Sequence, residues 1–98
     1  MKTVKTTVWD PVEYLKTDEE IAAYLYDVFS TNDSQLIVTA IGDVARAKGM
    51  SKIAEDVECG RESLYKSLSQ DGNPSFETVI KVMISLGYGL KPAHVSAT

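Results

Sequence analysis

The sequence predicts an all-α fold: a compact bundle of about five helices around one core, with an extended segment ahead of it. Three observations carry that expectation. Apolar residues recur three and four apart through most of the chain, the period of a helix buried on one face. Most such runs are bounded by a capping side chain at the start and by glycine or a small polar cluster at the end. Alternation of the kind that makes strands is confined to Lys2–Trp9. With 98 residues, 44% of them hydrophobic and 24% charged, there is apolar material for one core and no more. No repeat, low-complexity tract or linker divides it. The expected organisation is therefore an extended segment over 1–9, a helical domain over 10–90 and a tail over 91–98.

Taken in order, KTVKTTVW (Lys2–Trp9) is rich in β-branched residues and reads as extended. Asp10-Pro11 is a helix start, an N-cap carboxylate followed by proline where a missing N–H costs nothing. It opens a short turn with Val12 and Leu15 on one side. Thr17-Asp18-Glu19-Glu20 is a capping box with an acidic first turn, which suits the helix dipole. The helix behind it carries Ile21, Ala22, Leu25, Val28 and Phe29 as one stripe, flanked by Tyr24 and Tyr26. Ser30–Asp33 is a polar loop in which Asp33 or Ser34 caps the next helix. That helix runs from about Gln35 to Lys48, with Leu36, Ile37, Ala40, Ile41, Val44 and Ala45 inward. Gly42 inside it costs about 1 kcal/mol against alanine, which points to a close crossing or a second helix start. Lys48-Gly49 is a cation in the last turn followed by a terminating glycine.

Met50–Leu68, MSKIAEDVECGRESLYKSL, holds two apolar runs too close together to be one uninterrupted amphipathic helix. Ser51 is expected to cap the first, whose Ile53, Ala54 and Val57 share a face. Leu64 and Leu68 share a face of the second, and Glu58-Cys59-Gly60 is the break. Two short helices joined by a three- or four-residue turn containing glycine, with small Ala54 where they cross, is the layout of a helix-turn-helix. In that layout the second helix lies in the major groove of DNA. If Leu64 and Leu68 point inward, Arg61, Glu62, Tyr65 and Lys66 point outward. After the Ser69–Asn73 loop, Pro74-Ser75 starts a last helix with Phe76, Val79, Ile80, Val82, Met83 and Leu86 on its apolar side, and Gly87 ends it.

The formal net charge of −4 opposes a nucleic-acid role at first sight, because phosphate contacts supply much of such affinity. Its distribution answers the objection. Residues 1–45 hold three basic and eight acidic side chains, a balance of −5; residues 46–98 hold seven basic and six acidic, a balance of +1. The alternative is that the acidic helices are simply solvated. A single cysteine, Cys59, excludes an internal disulfide and a cysteine-rich metal site, and it reads as a small apolar residue beneath the turn. No apolar run approaches the roughly 20 residues that span a bilayer. The beginning, MKTVKTTVWDP, carries no apolar core of a secretion signal, so a cytoplasmic protein is expected, without a membrane partner. One histidine, His94 in the tail, and the lack of a glycine-rich phosphate loop or a recognisable carboxylate pair speak against an enzyme, and no cofactor or metal is expected.

The run Ala23-Tyr24-Leu25, together with GDVARAKGMSKIAEDVECGRESLYKSLSQDGNPSFETVIKVMISLGYGL from Gly42 to Leu90, resembles the antidote proteins of bacterial addiction modules, relatives of the lambda-repressor-like helix-turn-helix proteins. The likeness covers about Trp9 to Leu90, and its elements ARAKGMS, RESLYK and NPSFETV are specific when they occur together. It implies an antitoxin that binds a small toxin encoded beside it and, as a homodimer, represses their shared operon by binding operator DNA. The chain departs from the family in the turn, where relatives carry glycine, an apolar residue and serine in place of Glu58, Cys59 and Gly60. Gly60 then offers no side-chain cap, and Glu58 must either adopt the left-handed conformation or shift the turn.

The candidate DNA-binding residues are Ser51, Lys52, Arg61, Glu62, Tyr65, Lys66, Asn73 and Ser75. Arg61 reads as a bidentate contact to guanine, or as a surface pair with Glu58 or Glu62. Lys66 reads as a phosphate or guanine contact, or as an i,i+4 partner of Glu62. Tyr65 reads as a sugar or thymine-methyl contact, or as half-buried packing. Ser51, Lys52, Asn73 and Ser75 lie near helix starts, where backbone N–H groups attract phosphate, and plain capping is the other reading for the two serines. Two alternatives to the antitoxin stay open: a protein-interaction module whose acidic half docks a basic partner, and a stand-alone regulator. Ile84, Leu86 and Leu90 fit either a two-fold interface or the monomer core.

Overall fold

The computed structural model describes residues 11–95, and within them the chain is a helical bundle with no strand. A 3-10 turn, Pro11–Tyr14, precedes five α-helices: α1 (Asp18–Phe29), α2 (Ser34–Lys48), α3 (Met50–Val57), α4 (Arg61–Ser67) and α5 (Phe76–Leu86). The expected extended segment over 1–9 and the Asp10 cap lie outside the described residues. The all-α expectation is met, and so is the break between Val57 and Arg61.

Local chemistry explains the boundaries. Thr17 Oγ1 accepts from Glu20 N at 3.1 Å, and Glu20 Oε1 accepts from Lys16 N and Thr17 N at 2.9 and 3.0 Å, closing the capping box. Those two backbone donors also hold the Glu20 carboxyl below its ordinary pKa. Asp33, rather than Ser34, caps α2 by accepting from Leu36 N. Ser75 caps α5 through Thr78 N, and Gly87, left-handed at φ 98°, ends it.

One helix organises the rest. α2 packs against α1, the 3-10 turn, α3 and α5, while α3 also packs against α4 and α5. Its Ala40, Ile41, Val44 and Ala45 are all but fully buried and join Leu15, Ile21, Leu25, Ile53, Val57, Leu64, Val82 and Leu86 in one core. Asp43 is the charged exception. It is buried between α1 and α2, where Tyr24 Oη donates to Oδ2 at 2.8 Å and Arg46 pairs with Oδ1 at 2.5 Å. Both carboxylate oxygens are thus satisfied, the condition under which a buried charge is tolerated. Burial and the adjacent carboxylate together push the Tyr24 phenol well above its ordinary pKa.

Four expectations are corrected. Leu36, in the first turn of α2 at the edge of the buried arc, is 45% exposed rather than inward. Phe76, the first residue of α5, is 73% exposed because it precedes the stretch that the core covers. Ala22 faces solvent, since the buried arc of α1 is centred on Ile21, Leu25 and Val28. Ser51 does not cap α3. Gly49 holds the N-cap position with no side-chain hydrogen bond, which moves Ser51 into the first turn.

The interior glycine of α2 marks a crossing. A Cβ on Gly42 would overlap the Leu68 carbonyl, backbone that cannot swing aside. Alanine gains about 1 kcal/mol of helix propensity, but overpacking costs about 1 to 3 kcal/mol. Gly42→Ala is therefore expected to destabilise the fold by up to about 2 kcal/mol, read as a lower urea midpoint at unchanged slope; a raised midpoint contradicts the crossing.

Candidate nucleic-acid interface

The turn between α3 and α4 is made with a non-glycine residue in glycine's conformation. Glu58 has φ 58° and ψ 48°, in the left-handed region, so the turn keeps its register without the glycine. Cys59 N then reaches back to Ala54 O at 3.0 Å and Glu58 N to Glu55 O at 3.2 Å, which satisfies the last carbonyls of α3. The Cys59 side chain is half-buried against the core. Gly60 is extended, with φ −64° and ψ 141°, and provides no side-chain cap to α4.

Seven residues are too few for a helix to stand alone in water, so α4 is held by what it buries. Leu64 is 0% exposed, and Leu68, at its C-cap, is 4% exposed against Gly42. On the opposite side Arg61, Glu62, Tyr65 and Lys66 are exposed. The Arg61 guanidinium lies over the Tyr65 ring, 5.8 Å from its centroid, which limits the freedom of a long side chain before any ligand arrives. Among the described residues neither Arg61 nor Lys66 forms an ion pair, so the intrachain pairing with Glu58 or Glu62 does not occur here.

The other candidate residues are distributed around this face. Lys52 pairs with Asp56 on α3 at 3.3 Å, and Asp56 also accepts from Ser85 of α5 at 2.7 Å. The Ser85 bond, with help from Lys52, lowers the Asp56 pKa. Ser51 is exposed in the first turn of α3, Ser75 is occupied as a cap, and Asn73 is exposed in the loop before it. That loop is pinned. Gln35 Nε2 donates to Gln70 O, and a side chain at Gly72 would strike the Ser67 carbonyl. Gln35 and Arg46 were not among the sequence candidates. Arg46 and Asp43 line a cleft of about 230 Å³ between α2 and α4 that also takes in Tyr65 and Ser69. The Asp43/Arg46 spacing of three was a legible sign of a helix pair, but nothing in it announced the cleft.

Chemically, the exposed side of α4 offers cations and hydrogen-bond donors. Among the described residues no group of His, Cys, Asp and Glu is placed to hold a metal ion. Nor is any described helix long and apolar enough to cross a membrane.

A family model described as "Probable addiction module antidote protein" matches residues 5–94. The chain belongs to this antidote family. A Haemophilus influenzae protein described only as uncharacterized is similar to it, 49% identical over 78 residues that cover 80% of each chain. No solved structure matches. An antidote implies a toxin, so the family supplies a toxin as partner and an antitoxin role for this chain. For this antidote, Glu58→Gly tests the turn. Relief of a left-handed side chain, about 1 to 2 kcal/mol, outweighs the added freedom of the unfolded chain, about 0.4 to 1 kcal/mol. Thermal unfolding is expected to move up by a few degrees; a fall would mean that the glutamate side chain itself stabilises the turn.

Proposed function

We propose that this chain is the antitoxin of a type II toxin–antitoxin module, binding its toxin and repressing the shared operon as a homodimer on operator DNA. In this reading α3, the turn and α4 are a helix-turn-helix of the lambda-repressor-like kind, and α4 is the reader in the major groove. One observation carries it: Leu64 and Leu68 anchor α4 inward while Arg61, Tyr65 and Lys66 stand exposed, with no carboxylate paired to Arg61 or Lys66 among the described residues. Arg61 has the donor geometry for guanine O6 and N7, with the Tyr65 ring as its support. Lys66 supplies charge to phosphate or guanine, and Glu62 is placed to accept from a cytosine amino group. Ser51 and Lys52 at the start of α3, and Asn73 and Ser75 ahead of α5, fix the domain on the backbone through donors to phosphate.

The acidic balance of residues 1–45 fits the same scheme, since it leaves the half that contains α3 and α4 slightly basic. A single reading helix covers few base pairs, so useful specificity calls for two copies on half-sites about 34 to 36 Å apart. Function by binding alone accords with antidote membership, and cytoplasmic residence follows from an operator and a toxin made in the same cell.

Mobility shift with DNA from upstream of the gene tests the reading helix. Arg61→Ala is expected to cost about 1 to 3 kcal/mol at one base position and to relax preference there. Lys66→Ala is expected to weaken binding to all sequences and to reduce the salt slope by about one unit. Binding as tight as the parent's for both variants would remove α4 from the role.

A further inference from the structure

The first turn of α3 carries a cation that the chain holds for itself. Lys52 Nζ lies 3.3 Å from Asp56 Oδ1, one turn further along α3, and Asp56 Oδ2 accepts from Ser85 Oγ of α5 at 2.7 Å. The carboxylate therefore bridges two helices. Its anchor is the shorter bond, made to a half-buried hydroxyl on a helix whose Val82, Met83 and Leu86 lie in the core. The Lys52 side chain, in contrast, is 71% exposed on a long rotatable stem, against 37% for Asp56. Of the two charges, the lysine is the one able to move. No second cation reaches Asp56 among the described residues, because Lys81, which lines the same notch between α3 and α5, is taken by Glu77 at 3.0 Å.

We infer that Asp56 is a built-in competitor of DNA phosphate for Lys52, fixed by Ser85 so that it stays on the surface of α3 when the lysine is drawn away. This rests on the operator-binding reading above and deepens it by naming what restrains one of its phosphate contacts. The ammonium is a point charge, so the part that Asp56 neutralises is withheld from phosphate. A phosphate that takes the lysine also meets a carboxylate held nearby, and like charges repel. Both effects oppose binding to every sequence alike, because phosphate contacts carry no base information. Discrimination by Arg61 and its neighbours on α4 is spared, and it supplies a larger share of the affinity.

Asp56→Asn is the variant that separates charge from architecture, since its amide oxygen still accepts from Ser85 while the charge beside Lys52 is gone. Mobility shift of the full chain, with DNA from upstream of the gene and with an unrelated duplex, compares the parent, Asp56→Asn, Lys52→Ala and the double variant. Thermal unfolding of each free chain checks that the fold is kept. Asp56→Asn is expected to bind both duplexes about two- to fivefold more tightly, with a salt slope steeper by up to about one unit. In the Lys52→Ala background the same change is expected to give about half of that gain or less, because the coupling between the two side chains is gone. An equal gain with and without Lys52 makes Asp56 a general repulsive charge and overturns the inference. Unchanged or weaker binding by Asp56→Asn also overturns it, the weaker result making the carboxylate an aid to Lys52, and in either case the operator-binding reading stands on the parent's own shift. A parent that shifts no upstream duplex removes that reading, and the competition with it.

Discussion

The packing of Leu64 and Leu68 beneath α4 is the constraint on which the rest depends. A helix of two turns gains little from its own hydrogen bonds, and here it lacks a side-chain cap as well. What positions it is the insertion of two leucines into a core that α2 organises, with Gly42 cut back so that the backbone at Leu68 can approach. The strain accepted at Glu58 has the same origin. Placing α4 against α2 and α3 requires a left-handed residue after Val57, and the core holds the glutamate there. Outward projection of Arg61, Tyr65 and Lys66 is thus a consequence of burial.

Much of this was legible in the residues because periodicity and capping are local. Thr17 with Glu20, Ser75, Gly87, the break at Glu58–Gly60 and the inward leucines each follow from neighbours within one helical turn. Gly42 was readable as a sign of close approach, although its partner, Leu68, lies far along the chain. Ser51 was misplaced because a serine near a helix start looks like a cap whether or not the chain turns two residues earlier, at Gly49. Leu36 and Phe76 were misassigned because both match the helical period but sit in first turns, beyond the part of each helix that the core covers.

The least legible features join residues from distant elements. Tyr24 and Asp43 each looked unremarkable in its own helix, yet together with Arg46 they tie α1 to α2 and border the cleft beside Tyr65. An apolar groove between α1, α5 and the tail has the same character, since no contiguous stretch contains it.

The central claim is that the exposed side of α4 meets the operator, and backbone-amide resonances of the full chain titrated with a duplex from upstream of its gene test it most directly. Shifts concentrated at Arg61–Lys66 and at the start of α3, with α1 and the tail after Gly87 little changed, are the predicted result. Shifts that cluster on α1 and leave α4 at its free positions would contradict it.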